Sequence, residues 1–267
     1  DRSPSRGLGD VYKRQVELTT LAGASNVPTV VNNILVSDIN RFVFCFGTNV
    51  LGSSSKDPML IRWSDQESAV NWTPTATTQA GSLRLSRGTE IVAAQQARQE
   101  VLIWTDSSLY SLQYVGAGSG VWGATIVGEQ TSIASQNAVA YANGVSYWMG
   151  KDKFYKYDGR VQPLRCDLRK YIFTDFNDLQ YVQVFGGSNE AFHEVWWFYC
   201  SAASSDIDRY VIYNYLEDIW YYGNMARTAW LDSGLRSFPL AATYNSVLVD
   251  HENGIDDNET STPAAIT

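Results

Sequence analysis

Carboxylates are the most numerous candidates for chemistry in this sequence. Close pairs occur at Asp65 and Glu67, Glu190 and Glu194, Asp206 and Asp208, and Asp256 and Asp257. Two carboxyls held at a set separation across a cleft can hydrolyse a glycosidic bond, one as the acid and the other as base or nucleophile. These pairs sit mostly among Gly, Ser and Asn, and Asp206 and Asp208 directly follow Ser204 and Ser205. In such company a carboxylate usually accepts hydrogen bonds from nearby backbone N–H groups and shapes a turn.

Only two histidines are present, His193 and His251, each followed by a glutamate, Glu194 and Glu252. A Ser-His-Asp triad needs a carboxylate that orients the imidazole. Adjacent residues on a strand point to opposite faces, so neither pair meets that need. No G-x-S-x-G elbow accompanies them. The run Trp63-Ser64-Asp65 with Trp72 is similar to the Asp-box turn of sialidase-type propellers, spaced more loosely and without its Gly. Even a full Asp-box is structural, because its side chains hold a hairpin through backbone hydrogen bonds. The acidic stretch Asp250 to Glu259 has the oxygen ligands calcium prefers but not the EF-hand spacing. Gly116 to Gly120 lacks the Lys-Ser/Thr ending of a phosphate loop and reads as a hairpin turn. Cys45, Cys166 and Cys200 form no C-x-x-C pair, which argues against a zinc site or disulfide framework and fits a reducing compartment. No catalytic, cofactor-binding or metal-ligating residue is therefore assigned, and the expectation is a protein that is not an enzyme.

The elements that would carry these residues are strands. Charged residues are 18% of the chain and aromatic residues 13%, with 9 Trp and 16 Tyr. Aromatics at this density suit half-buried pleated strands. No apolar run is long enough for a membrane span. Short alternating runs are broken by Gly, Asn, Asp and Ser, and helical periodicity is confined to residues 165–183, where a short helix or irregular crossover is expected. A hairpin recurs. Its copies are Leu109–Val115 with Val121–Val127, Phe154–Tyr157 with Val161–Leu164, and Tyr210–Tyr215 with Ile219–Tyr222. A further strand ending near Trp104, Trp148 or Trp197 precedes each copy. Weaker copies flank them at Phe42–Phe46 with Met59–Trp63 and at Ala241–Val249. A repeat of about 40–50 residues with some four strands per unit is the pattern of a β-propeller blade. The expected fold is all-β, with propeller-like repeats of antiparallel four-stranded sheets; a β-sandwich is the alternative.

The N-terminal end reads differently. Ser5 to Gln15 match the translation of a sequencing-library adapter that ends in a transposase mosaic end. Residues 1–15 are expected to be a non-native, adapter-derived segment. Residues 16–267 are expected to be an incomplete β-propeller-like domain, truncated at both ends. The segment carries Arg2, Arg6, Lys13 and Arg14 against Asp1 and Asp10, so the remainder holds −10 rather than the −8 of the whole chain. A chain this acidic is a poor ligand for nucleic acid, whose binding rests on Lys and Arg displacing counterions.

Several motifs occur together and in order. They are Met59-Leu-Ile-Arg-Trp-Ser-Asp65, Asn71-Trp-Thr-Pro74, Ala80-Gly-Ser-Leu-Arg-Leu85 and Leu102-Ile-Trp-Thr-Asp-Ser-Ser-Leu-Tyr110. Asn189 to Cys200, Ile207 to Asn214 and Arg227-Thr-Ala-Trp-Leu-Asp232 continue the series. On these motifs the chain resembles a family of virion structural proteins encoded in tailed-phage genomes, over most of residues 59–260. More distantly it is similar to the tail-nozzle and packaged-DNA stabilisation proteins of short-tailed phages. The resemblance implies a structural subunit of a ring below the portal that closes the channel holding the genome. It also implies partners among its own copies and other tail and portal proteins, and residence in the virion after assembly in the host cytoplasm. The resemblance also implies members that continue past Thr267; the acidic charge, the lack of a long apolar run and the lack of a cofactor motif carry the expectations of no sequence-specific nucleic-acid contact, no membrane and no cofactor. The alternatives are a carbohydrate-binding or glycosidase-type propeller with a glycan partner, and a cellular binding propeller unrelated to phage.

Overall fold

Residue size along the strands dictates how this chain packs. The computed structural model describes residues 24–116, 120–254, 256–257 and 260–261, the last two pairs by backbone alone; the adapter-like segment 1–15 lies outside the described residues. Strands β1 (Asn33–Val36), β2 (Val43–Phe46), β3 (Leu60–Trp63) and β4 (Gly81–Arg84) form the first sheet. The second comprises β5 (Ile91–Gln96), β6 (Val101–Thr105), β7 (Ser108–Gly116) and β8 (Val121–Glu129). Next come β9 (Val139–Ala142), β10 (Val145–Met149), β11 (Phe154–Tyr157) and β12 (Val161–Pro163). The fourth sheet holds β13 (Phe185–Asn189), β14 (Glu194–Tyr199), β15 (Arg209–Asn214) and β16 (Ile219–Asn224). A three-stranded sheet follows, β17 (Ala229–Leu231), β18 (Leu240–Ala242) and β19 (Leu248–Asp250), and then a small hairpin, β20 (Asp256–Asp257) with β21 (Thr260–Ser261). Each larger sheet is an antiparallel meander in sequence order, as the repeat predicts. The one α-helix among the described residues, α1 (Arg169–Thr174), lies in the expected crossover and buries Ile172.

The first strands of successive sheets meet one another: β1 touches β5, β9 touches β13, and β13 touches β17. They run parallel, since Asn137, just before β9, forms a parallel bridge with Phe185 at the start of β13. A cavity of about 370 Å³ is lined by Ala94 and Gln95 of β5, Val139 of β9, Gly186 of β13 and Ala229 and Trp230 of β17. The sheets are thus blades arranged around an axis, with their first strands innermost.

Near the axis, space is scarce; farther out, each wedge between blades must be filled. The chain meets both demands by pairing small with large. Trp104 lies opposite Ala93, Trp148 opposite Val139, and Trp197 opposite Gly186. All three tryptophans are fully buried. Trp148 meets Trp104 edge-on at 5.4 Å and stacks on Tyr155 at 5.2 Å. The indoles also tie blades together. Trp197 Nε1 donates to the Ala138 carbonyl of the preceding blade at 2.9 Å, and Trp230 Nε1 donates from the fifth blade to the Ser188 carbonyl of the fourth at 2.7 Å. One apolar cluster joins blades one and two, a larger one joins two to four, and a third joins four and five.

Gly187 marks the tightest point of this packing, because a Cβ there would lie 2.3 Å from Trp230 Cδ1. Gly187→Ala should destabilise the protein by about 1–3 kcal/mol through overpacking. Gly234→Ala, which meets nothing within 4 Å, should stay within about 0.5 kcal/mol of the parent. Urea unfolding midpoints compare them; equal midpoints would contradict this packing.

Candidate functional site

Because the first strands run parallel and each blade is a meander, the turns fall at two ends. Turns joining first to second and third to fourth strands lie at one end; the remaining connections lie at the other. At the first end the acids are Asp38, Asp65, Glu67, Glu100, Asp158, Glu190, Glu217, Asp218 and Asp232, against Arg41, Arg98, Arg160 and Arg236. Acids there outnumber bases about two to one. At the other end, Lys56, Arg87, Lys151, Lys153, Arg165, Arg169, Lys170 and Arg227 nearly balance the carboxylates. Charge of one sign gathered at one end of a rigid body sets up a local field that steers or repels charged partners. Sequence reading did not find this charge bias, since the charges are scattered over some two hundred residues and only the topology sorts them, placing twice as many bases at the second end.

The Asp-box-like segment is a turn. Asp65 Oδ1 accepts from the backbone N–H groups of Gln66 (3.1 Å) and Gln79 (2.8 Å), and Oδ2 accepts from Asn71 Nδ2 at 3.3 Å. Trp63 Nε1 donates to the Gln79 carbonyl and Trp72 Nε1 to that of Ala69. One carboxylate thereby organises the long loop between β3 and β4. Glu67 pairs separately with Arg41 at 2.6 Å. Asp208 accepts from the backbone N–H and hydroxyl of Ser201, both at 2.8 Å, and so also closes a turn.

Glu190 and Glu194 do not share a cleft. Glu190 lines a 330 Å³ cavity with Asn143, His193, Tyr215 and Leu216. Glu194 instead accepts from Trp196 Nε1 at 2.9 Å, on the face of β14 that packs toward blade five; Val195 and Trp197 occupy the opposite face. His193 is not on the strand, contrary to the sequence reading. It follows a one-turn 3-10 helix in a left-handed conformation (φ 59°), which projects its ring edge-on to Tyr215 at 5.7 Å. His251 Nε2 accepts from Arg227 Nε at 2.9 Å, and its ring lies 4.6 Å from that of Trp230. A neighbouring 250 Å³ cavity at the acidic end is lined by Glu100, Tyr141, Ser146, Tyr157 and Asp158 among others. There Ser111 Oγ donates to Glu100, and burial together with the Glu100 charge pushes the Tyr157 hydroxyl up to about 12.

The thiols are quiet. Burial pushes Cys45 up to about 12 despite the nearby Arg62, and Cys166 and Cys200 up to about 11. All three are free. Gly116 and Gly120 flank the β7–β8 turn with positive φ, as a hairpin requires, while residues 117–119 lie outside the described residues. The far part of the Asp250–Glu259 stretch also lies outside them. Among the described residues no group of three or more His, Cys, Asp or Glu is placed to hold a metal, and no helix is long and apolar enough to cross a membrane.

No protein-family model matches the chain, and no curated protein matches it. Among solved structures it is similar to a Bacteroides fragilis protein described as exported, at 8% identity and TM-score 0.42, covering 80% of this chain and 66% of that one. It is also similar to the extracellular domain of a B. thetaiotaomicron protein described as a one-component system, at 9% identity and TM-score 0.47, covering 86% and 29%. A luciferin-regenerating enzyme matches at 8% identity and TM-score 0.32, covering 86% and 89%. The chain spans just under two thirds of the first protein and under a third of the second. With TM-scores below one half, none of the three bears on function, and the fold stands on this chain's own strand pairing.

Glu194 offers a test of the site's electrostatics. Burial raises its pKa, the Trp196 hydrogen bond opposes that rise, and Glu252 adds to it. A carboxyl with a raised folded-state pKa holds its proton longer when folded, so stability falls as pH rises from the unfolded toward the folded value. Glu194→Gln keeps an acceptor for Trp196 and removes the charge. The variant should have a higher urea midpoint than the parent at pH 7, and the gain should vanish below the ordinary carboxylate range. A gain that is independent of pH would contradict this account.

Proposed function

We propose that this protein is a non-enzymatic structural subunit of a tailed-phage particle, set in the tail or neck as one of a ring of identical copies. The observation that carries the proposal is the net negative charge of one end of a rigid, aromatic-packed body, where the turns hold nine acids against four bases. Placed toward the genome channel, that end repels phosphate, so DNA passes without adhering. The sequence resemblance to virion proteins supports the same reading.

Two unlike apolar surfaces favour ring assembly. Ile34 and Val36 of β1 are 62% and 57% exposed at one end of the blade array, and Leu231 and Leu248 of the fifth blade are 53% and 66% exposed at the other. Contacts between unlike patches on identical chains are heterologous, and they close into rings when the rotation permits. The stacked blades would resist internal pressure because each wedge is already filled. A second reading, a carbohydrate-binding propeller, is favoured by a separate aromatic cleft on the fourth blade, where Tyr171 meets Tyr222.

Replacing Asp38, Glu190 and Glu217 together with Lys should slow genome ejection from particles carrying the protein, as followed by the rate of DNA release. In parallel, Leu248→Lys should shift the purified protein from rings to single copies in mass photometry. Unchanged ejection would remove the channel role, and a parent protein that remains monomeric at all concentrations would remove the ring.

A further inference from the structure

The outer surface of the fourth blade carries a cleft that neither the ring nor the acidic end explains. Helix α1 packs beside the blade and brings Tyr171 against Tyr222 of β16, with ring centroids 4.7 Å apart and planes tilted by 53°. Both rings are open to solvent, at 47% and 50% exposure. Tyr171 lines an opening of about 660 Å³ together with Asp167, Lys170, Thr174, Asp175 and Arg209, and Tyr222 extends the aromatic surface at its edge. That volume lies in the range of small-molecule sites.

Planar hydrogen-bonding groups lie beside the tyrosines. Arg209 Nε donates to Asp175 Oδ2 at 3.1 Å, and its Nη1 donates to Asn224 Oδ1. The pair register of β15 with β16 sets Arg209 opposite Asn224 and Val211 opposite Tyr222, so Arg209, Asn224 and Tyr222 share one face of the blade. Tyr199, paired with Arg209 on the adjacent strand, lies beneath them at 1% exposure. Asp175, Tyr171 and Arg209 all act electrostatically on its hydroxyl, and that hydroxyl makes no hydrogen bond to any described residue.

Charge narrows the ligand. Lys170 and Arg209 are offset by Asp167 and Asp175, so the cleft has no net charge with which to select a phosphate or an acidic peptide. Exposed tyrosine rings offer a rigid apolar face with polar edges, and a guanidinium, a carboxylate and an amide beside them offer donors and acceptors fixed in direction. A molecule with one apolar C–H face and a rim of hydroxyls satisfies both. We propose that this cleft binds a neutral oligosaccharide, with a hexopyranose ring stacked on Tyr171 and Tyr222 and its hydroxyls bonded to Arg209, Asp175 and Asn224. The proposal does not depend on ring assembly, because it uses a different surface from the apolar ends of the blade array.

Titration calorimetry of the full chain with maltohexaose, cellohexaose and chitohexaose tests it. At least one should bind, and Tyr171→Ala and Tyr222→Ala should each weaken that binding about tenfold or more, as loss of an aromatic anchor does. Both residues are exposed, so the variants should keep the parent's unfolding midpoint. Tyr221→Ala is the control. Tyr221 is 44% exposed on the same strand but lies opposite Ile212, on the other face of the blade, and its loss should leave binding unchanged. Absence of binding to all three sugars would overturn the proposal, as would equal weakening by Tyr221→Ala. No sugar binding together with a change of oligomeric state in Tyr171→Ala would instead assign the aromatic wall to a protein contact.

Discussion

The structure depends on the filling of the wedge between neighbouring blades. A twisted four-stranded sheet has two apolar faces and cannot bury both alone. Arranging sheets around an axis buries them, but it imposes a gradient of space, narrow inside and wide outside. This chain follows that gradient residue by residue. Ala93, Val139 and Gly186 sit on the inner strands, and Trp104, Trp148 and Trp197 face them from the second strands. The indole N–H groups of Trp197 and Trp230 then bond to backbone carbonyls of the preceding blade, at Ala138 and Ser188. Shape and hydrogen bonding thus fix the same angular spacing.

The remaining features follow from that arrangement. With parallel inner strands, the turns joining first to second and third to fourth strands are delivered to one end, where acids outnumber bases, and the remaining connections to the other, where the two nearly balance. The outer strands and the single crossover helix are left to face solvent, and Tyr171 and Tyr222 meet on that surface. Glu190 and Glu194, neighbours in sequence, open to opposite sides of blade four and so form no shared carboxylate pair.

Much of the fold was legible in the sequence. The hairpins β7–β8, β11–β12 and β15–β16 and the second strands bearing Trp104, Trp148 and Trp197 carry long aromatic and β-branched runs, which announce strands directly. The crossover over residues 165–183 was visible through its partial helical period. The inner strands were not legible, because crowding at the axis selects sequences such as Phe185-Gly-Gly-Ser-Asn189, whose composition resembles a turn. His193 was misplaced on a strand for a related reason. A one-turn 3-10 helix ending in a left-handed residue leaves no periodic trace. The turn role of Asp65 could be read from its neighbours, whereas the Tyr171–Arg209–Tyr222 cleft could not, because its members lie far apart in the chain and meet only through blade geometry.

The inner strands of separate blades surround one axis, and a cross-link across that axis tests it. Gln95 of β5 and Thr228 at the start of β17 both line the central cavity, although more than a hundred residues separate them. In a Cys166→Ser background, which leaves only the buried Cys45 and Cys200, Gln95→Cys and Thr228→Cys would be combined and treated with a short bismaleimide. The account predicts rapid intramolecular cross-linking in the folded protein, seen as a compact band on a denaturing gel and lost in urea. Efficient labelling of each single cysteine without any intramolecular cross-link in the pair would contradict the radial arrangement and favour a layered sandwich.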